Sequence, residues 1–207
     1  WGNIEATTIL SEADYLIIQD ECPPHIYNAF APSQRLYFSR EALTPAAINP
    51  YPADQVVRSS FWDDSGMLWV KWWYPNRSAG GINKTYDELT AETENPYVKN
   101  KLLSCIQSDK RMVEGHHLRY RFLENFMQDH GSLLDLYGSI NFKNCTLPDN
   151  DKFYALHNYK YCLSFDNQDH IGNFFGTQFT DSILYWTVPI YWGGANLDKF
   201  FPKDSFI

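Results

Sequence analysis

Residues 157–194, HNYKYCLSFDNQDHIGNFFGTQFTDSILYWTVPIYWGG, read as one strand, loop, helix and strand unit, apolar at both ends and polar in the middle. Tyr159 to Phe165 alternates polar and β-prone side chains and predicts a strand; Thr187 to Trp192 is a short β-rich run closed by Gly193-Gly194. Pro189 stands near the start of that second strand, where a missing donor is tolerated. Between them, Gln178 to Tyr185 carries Phe179, Ile183 and Leu184 at a spacing that suits about two helical turns packed on a sheet. The loop ahead of the helix contains Gly172 and Gly176, so unencumbered backbone amides face whatever lies above the helix N-terminus. In a parallel α/β sheet that is the place where an anionic ligand such as a nucleotide diphosphate binds.

Upstream, further short strands are expected. Asp14 to Gln19, DYLIIQ, is an apolar run without a helical stripe and reads as a buried parallel strand, ended by Pro23-Pro24. Arg35 to Ser39 is a second short strand, followed directly by Arg40-Glu41. A carboxylate at the C-terminal end of a parallel strand faces the ligand crevice, which makes Glu41 a candidate; the alternative is a surface pair with Arg40 or Arg58. Gln55 to Ser60 and Leu68 to Tyr74 predict further strands, and the aromatic cluster Trp69, Trp72, Trp73 and Tyr74 is either core or a sugar-stacking groove. Residues 74–96 are polar and rich in turn formers, the best linker in the chain, so two halves are expected: 1–95, with the linker from about 75, and 96–207. In the second half Leu102 to Gln107 predicts a strand, and Gly115 to His130 a helix with Leu118, Phe122, Leu123 and Phe126 on one face and Gly131 at its cap.

With 207 residues, 44% hydrophobic and 17% aromatic, the chain can bury a core, as one domain or two small ones. A net charge of −8 argues against non-specific nucleic-acid binding, which needs a basic face. No apolar run approaches the ~20 residues of a spanning helix, so any membrane anchor lies outside this chain. Beginning at Trp1 and stopping at Ile207 just after a strand-turn segment, the chain reads as a fragment or processed form. Cys22, Cys105, Cys145 and Cys162 show no metal-ligand spacing and permit two disulfides without requiring any. His116-His117 diverge by ~100° on a helix and do not chelate together, so they read as structural or solvent-facing.

The motifs resemble those of family 10 glycosyltransferases, the α-1,3/1,4-fucosyltransferases. Tyr159-Lys160-Tyr161 and Phe165-Asp166-Asn167 match the first part of the family's donor-binding pattern, and Val188-Pro189-Ile190-Tyr191-Trp192-Gly193 the last. Arg35 to Pro45 aligns without a gap to the segment carrying the family's general base, placing Glu41 in that role, although Arg40 and Ala42 replace a Gly and an Asn. Ser108 and Arg119 match a Ser and an Arg of the family, and Leu197 to Ile207 resembles its closing segment. The middle differs: Gly176-Thr177-Gln178 fall where the family has Thr-Glu-Lys, so the charged contacts to ribose and diphosphate are absent.

The resemblance implies an α/β fold of GT-B type, two Rossmann-like domains facing across a cleft, the second incomplete at its C-terminus. It implies metal-independent inverting transfer of fucose from GDP-fucose to a glycan hydroxyl. Catalysis falls to Glu41 as base and Arg119 as diphosphate partner, a guanidinium that otherwise reads as a solvated helix-face charge. Donor binding falls to Ser108, Lys160, Asn167 and the loop residues Phe174, Phe175, Gly176, Thr177 and Gln178, with Asp166 orienting that loop; no metal or other cofactor is expected. Because Thr177 and Gln178 are uncharged, a transferase for another nucleotide sugar and a non-catalytic glycan- or nucleotide-binding derivative stay open beside it. Sequons at Asn76, Asn83 and Asn144 hint at a secretory route. The compartment follows the source: Golgi or secretory lumen for a eukaryotic chain, cytoplasm for a bacterial or viral one.

Overall fold

The computed structural model describes residues 5–19, 22–39, 55–58, 86–91, 98–140, 147–148, 151–169 and 175–207. The chain divides into two compact units, Trp1–Trp69 and Val70–Ile207. The expected strand at 68–74, Glu41, Phe174, Gly172, Cys145 and the three sequons lie outside the described residues.

The first unit holds a parallel three-stranded sheet of β1 (Leu16–Gln19), β2 (Arg35–Ser39) and β3 (Gln55–Arg58), with β2 in the middle. Ile18 and Tyr37 are register partners whose side chains are buried together with Cys22, and a short helix α1 (Pro24–Tyr27) adds Ile26 and Tyr27 to that cluster. The parallel pairing agrees with the sequence, but β1 is not buried on both faces: Ile17 is 62% exposed while Ile18 is 1% exposed. Its place at the sheet edge allows this, since only one of its faces meets the core.

The second unit contains α2 (Tyr86–Ala91), a six-residue helix inside the stretch read as linker, and then a four-stranded parallel sheet. The strands are β4 (Lys101–Ile106), β5 (Leu134–Tyr137), β6 (Tyr159–Phe165) and β7 (Val188–Trp192), in the order β5-β4-β6-β7. The chain runs outward from β4 to β5, then returns past β4 to β6 and β7, so its direction reverses between β4 and β6. Ile207 continues the pattern beyond β7: its N–H donates to Pro189 O at 3.0 Å and its carbonyl accepts from Tyr191 N–H at 2.8 Å, a parallel bridge.

Strand alternation sends side chains to two separate cores. Leu103, Cys105, Leu134, Leu136 and Leu163 meet Leu123, Tyr120 and Phe126 of the long helix α3 (Glu114–His130). On the opposite side, Cys162 and Ile106 meet α4 (Phe153–Leu156) and the end of α5 (Thr177–Leu184) through Leu156, Phe153, Leu184 and Tyr185. The α3 stripe differs from the sequence reading in part: Leu123 is fully buried, but Leu118 and Phe122 are about half exposed and border a cavity. Gly131 caps α3 as expected but with a right-handed φ of −60°. Its constraint is close approach, since a Cβ there would lie 2.4 Å from Met127 O. Gly138, after β5, carries the positive φ of 101° that a turn needs.

Lys99 ties together the segments that lead into β6 and β7. Its Nζ donates to His157 O at 2.7 Å, Tyr185 O at 2.6 Å, Leu156 O at 3.3 Å and Thr187 Oγ1 at 3.2 Å. One ammonium thus satisfies carbonyls at the C-terminal ends of both α4 and α5, where partial negative charge accumulates. Cys22, Cys105 and Cys162 are buried, and Cys105 and Cys162 are free.

Candidate functional site

A crevice opens at the C-terminal ends of β4 and β6, where the strand order reverses. Ser108 follows β4, Asn167 follows β6, and Arg119 reaches in from the second turn of α3. The three are far apart in sequence and meet here: Arg119 Nη1 donates to Asn167 Oδ1 at 3.1 Å, and Nη2 donates to Ser108 Oγ at 3.4 Å. Arg119 is only 6% exposed, and its Nε–H is buried without a partner. Burial, aided by the neighbouring Arg111 cation, lowers its pKa from 12.5 to about 10, so it keeps its charge at neutral pH. Both partners accept from it, which leaves the Ser108 hydroxyl hydrogen and the Asn167 amide hydrogens to donate elsewhere.

The first turn of α3 fits tightly against the residue after β6. A Cβ on Gly115 would lie 2.0 Å from Asn167 O, so only glycine permits this approach. His116, next in the chain, is 5% exposed, and its Nδ1 accepts from Met112 N–H at 3.0 Å. The other arginines of this region are engaged elsewhere: Arg111 stacks over the Tyr120 ring, and Arg121 forms an exposed pair with Glu114 at 3.3 Å.

Asp166 organises the neighbouring loop. Its buried carboxylate accepts from Gly176 N–H at 3.1 Å and from the Tyr191 hydroxyl, while Gly194 N–H donates to that hydroxyl at 2.8 Å. A Cβ on Gly176 would lie 2.2 Å from Asp166 Oδ1, and one on Gly193 2.6 Å from Oδ2. Burial next to this carboxylate pushes the Tyr191 pKa well up, so its hydroxyl stays a donor. The loop before α5 and the Gly193-Gly194 turn after β7 are therefore joined through one carboxylate.

Gln178, at the start of α5, is committed to the backbone. Its Nε2 donates to Ile106 O at 2.5 Å and its Oε1 accepts from Phe165 N–H at 3.4 Å, so the carboxamide spans the last residues of β4 and β6. Phe175 contributes a ring to an aromatic group with Phe179, Phe200 and Phe201, at centroid separations of 5.2–6.3 Å. Thr177 is the first residue of α5, after the Gly176 cap. Lys160 is exposed near the start of β6. Five strand steps, about 16 Å at the strand rise, take the chain from it to Phe165, so the structure does not bring it to Arg119. The site residues that do converge are Ser108, Arg119 and Asn167, with Gly176 and Gln178 on the adjoining side.

Beside Arg119, between α3 and the ends of β6 and β7, lies a cavity of ≈310 Å³ lined by Leu118, Phe122, Phe165, Ile190 and Trp192. Among the described residues no group of three or more His, Cys, Asp or Glu is placed to hold a metal, and no helix is long and apolar enough to cross a membrane.

In open parallel α/β sheets ligands bind at the point where the strand order reverses, and here that point carries a nearly buried, under-satisfied guanidinium. The family follows from direct comparison: the model of glycosyltransferase family 10 (fucosyltransferase), C-terminal region, matches residues 97–207, and the chain belongs to this family. Two solved structures share the fold. An α1,3-fucosyltransferase is 17% identical with a TM-score of 0.51, covering 84% of this chain and 56% of its own. An α1,3-fucosyltransferase with GDP is 16% identical with a TM-score of 0.50, covering 92% of this chain and 56% of its own. The chain thus spans a little over half the length of these structures. No curated protein matches it significantly.

Proposed function

We propose that the protein is an inverting glycosyltransferase that moves fucose from GDP-fucose to a hydroxyl of a glycan, as part of a two-domain GT-B arrangement. The reading rests on one observation above the others: Arg119, 6% exposed, retains a buried Nε–H without a partner and hydrogen-bonds only to groups that accept. A cation held this way is poised for an anion that supplies several oxygens. In this proposal the diphosphate sits against Arg119, Ser108 and Asn167, and Glu41 takes the proton of the attacking acceptor hydroxyl. The acceptor oxygen bonds to the sugar C1 as the C1–O bond to the β-phosphate breaks, and GDP leaves with the electron pair. Arg119 and the hydrogen-bond donors around it counter the charge that grows on that oxygen, with no metal required.

The commitment of Gln178 to Ile106 and Phe165 supports a second reading, a nucleotide-binding derivative without transfer activity, because no side-chain cation faces Arg119 from α5. Calorimetry with GDP, GDP-fucose, UDP and UDP-sugars, with Arg119→Ala alongside, tests the donor; NMR of the product from a glycan acceptor tests transfer and its stereochemistry. GDP-fucose binding lost in Arg119→Ala and an inverted product are expected. Preference for UDP overturns the donor assignment; binding without product favours the second reading.

A further inference from the structure

The loop that leaves β4 at the crevice carries a further guanidinium. Ser108, whose Oγ accepts from Arg119, opens the run Ser108-Asp109-Lys110-Arg111. Asp109 Oδ1 accepts from Ser139 Oγ at 3.4 Å, which ties this run to the turn after β5. Arg111 is exposed, and its guanidinium carbon lies 3.0 Å over the ring of Tyr120, the residue that follows Arg119 on α3. That stack uses the face of the guanidinium and leaves its N–H groups, which point outward in the plane, able to donate. Among the described residues no acceptor takes them. The charge of Arg111 is also felt next door: burial first, and then this neighbouring cation, lower the Arg119 pKa to about 10. Two like charges side by side cost stability on their own, and an anion within reach of both reverses the sign of that interaction.

We propose that Arg111 is a second phosphate-binding residue of the crevice, a stacked arm that donates to one phosphoryl group of a diphosphate while Arg119 holds the other. This inference rests on the anion-binding reading of the crevice. One guanidinium fork serves one phosphoryl group at a time, so a diphosphate has oxygens left over for a second donor. The start of α5 does not supply it, because the Gln178 amide is committed to Ile106 O and Phe165 N–H. The two arginines differ in kind. Arg119 is buried and held by Asn167 and Ser108, whereas Arg111 is exposed and held by a ring alone. Salt therefore screens the Arg111 contribution much more than that of Arg119. The pair selects a diphosphate over a monophosphate, since a monophosphate on Arg119 leaves Arg111 without an oxygen to meet.

The test is calorimetry on the full chain with GDP, GMP and inorganic pyrophosphate, at low and at physiological ionic strength. Arg111→Gln is expected to weaken GDP and pyrophosphate about tenfold, the loss of one charge-assisted hydrogen bond, and to leave GMP within about twofold. The same variant is expected to flatten the salt dependence of GDP affinity. Arg111→Lys keeps the charge without the fork and is expected to recover part of the loss. Arg121→Gln, at the exposed pair with Glu114, is the control and is expected to stay within about twofold throughout. Without ligand, the melting temperature of Arg111→Gln is expected to equal or exceed that of wild type, because a repulsion is removed. Wild-type GDP affinity and salt dependence in Arg111→Gln overturn the proposal, as do equal losses for GDP and GMP or a lowered melting temperature, which mark a structural role. Binding that Arg119→Met abolishes and Arg111→Gln leaves intact overturns this inference alone. A wild-type protein that binds none of the three ligands overturns the anion-binding reading and this inference with it.

Discussion

Replacing Arg119 by Met separates fold from function with opposite expectations for each. Burial shifts the guanidinium pKa from 12.5 to about 10. Discounted for the open side of the crevice, that is about 2–3 kcal/mol against holding the charge there. The hydrogen bonds to Asn167 at 3.1 Å and Ser108 at 3.4 Å are long. At about 1.5 kcal/mol each, they offset nearly the same amount. Methionine fills the volume of the aliphatic stem without bringing a charge, so the net stability change is within about 1 kcal/mol, or about 4 °C in melting temperature for a chain of this size. Ligand binding has no such compensation. Two charge-assisted hydrogen bonds to phosphate, about 1.5–3 kcal/mol each, vanish together, and GDP affinity drops by at least about 100-fold. Thermal melting and calorimetry on the same preparation check both halves. A melting temperature lowered by more than about 10 °C shows Arg119 to be a structural keystone, and a GDP affinity within a few-fold of wild type shows that the crevice is not the anion site; either result refutes the reasoning.

Lys99→Met strips three carbonyls at the ends of α4 and α5, and the Thr187 hydroxyl, of their common donor. Urea unfolding is expected to show a loss of about 2–4 kcal/mol with GDP affinity unchanged after refolding, since the residue lies at the opposite end of the strands. Gly176→Ala places a methyl 2.2 Å from Asp166 Oδ1; the carboxylate must swing away from the Tyr191 hydroxyl, lowering stability by about 2 kcal/mol in the same assay. His116, with its folded pKa near 4 against 6.5 unfolded, contributes stability that is complete above about pH 6.5 and is lost as pH falls toward 4. The loss is on the order of 2 kcal/mol, and the difference between wild type and His116→Gln across that window isolates it from Asp181, whose pKa burial raises against the pull of Lys152.

What the sequence discloses depends on how much of each signal is local. The alternation of Tyr159 to Phe165 names both ends of β6, because a strand with one polar and one apolar neighbour per step announces its period within seven residues. β5, LDLY, and α4 are only four residues each, too short for any periodicity to announce them. The position of Lys160 was in reach of the sequence: it is the second residue of a strand whose far end carries the site. The depth of His116 was not, because adjacent histidines on a helix point about 100° apart and only the packing of Gly115 on Asn167 decides which one turns inward. Nor does a glutamine in a sequence reveal that both ends of its amide are already bound.

That last point bears on how the crevice divides its work. Where the family resemblance sets a lysine, this chain has Gln178, and its amide closes the gap between the ends of β4 and β6 by serving Ile106 O and Phe165 N–H at once. A lysine offers donors only and cannot accept from Phe165, so the glutamine is suited to a scaffold task that an ammonium cannot perform. The same start of α5 is anchored a second time through the Asp166 carboxylate on Gly176 N–H. One carboxylate and one amide thus hold the start of α5, while on the α3 side the buried Arg119 bonds Asn167 and Ser108 and keeps its Nε–H without a partner. Under the proposed function, Arg119 is the fixed cation among the described residues that faces the anion, beside oriented neutral donors, so affinity is expected to depend more on geometry than on summed charge. Preorganisation at Asn167, Ser108 and Gly115 accordingly matters more here than it would beside a second ammonium.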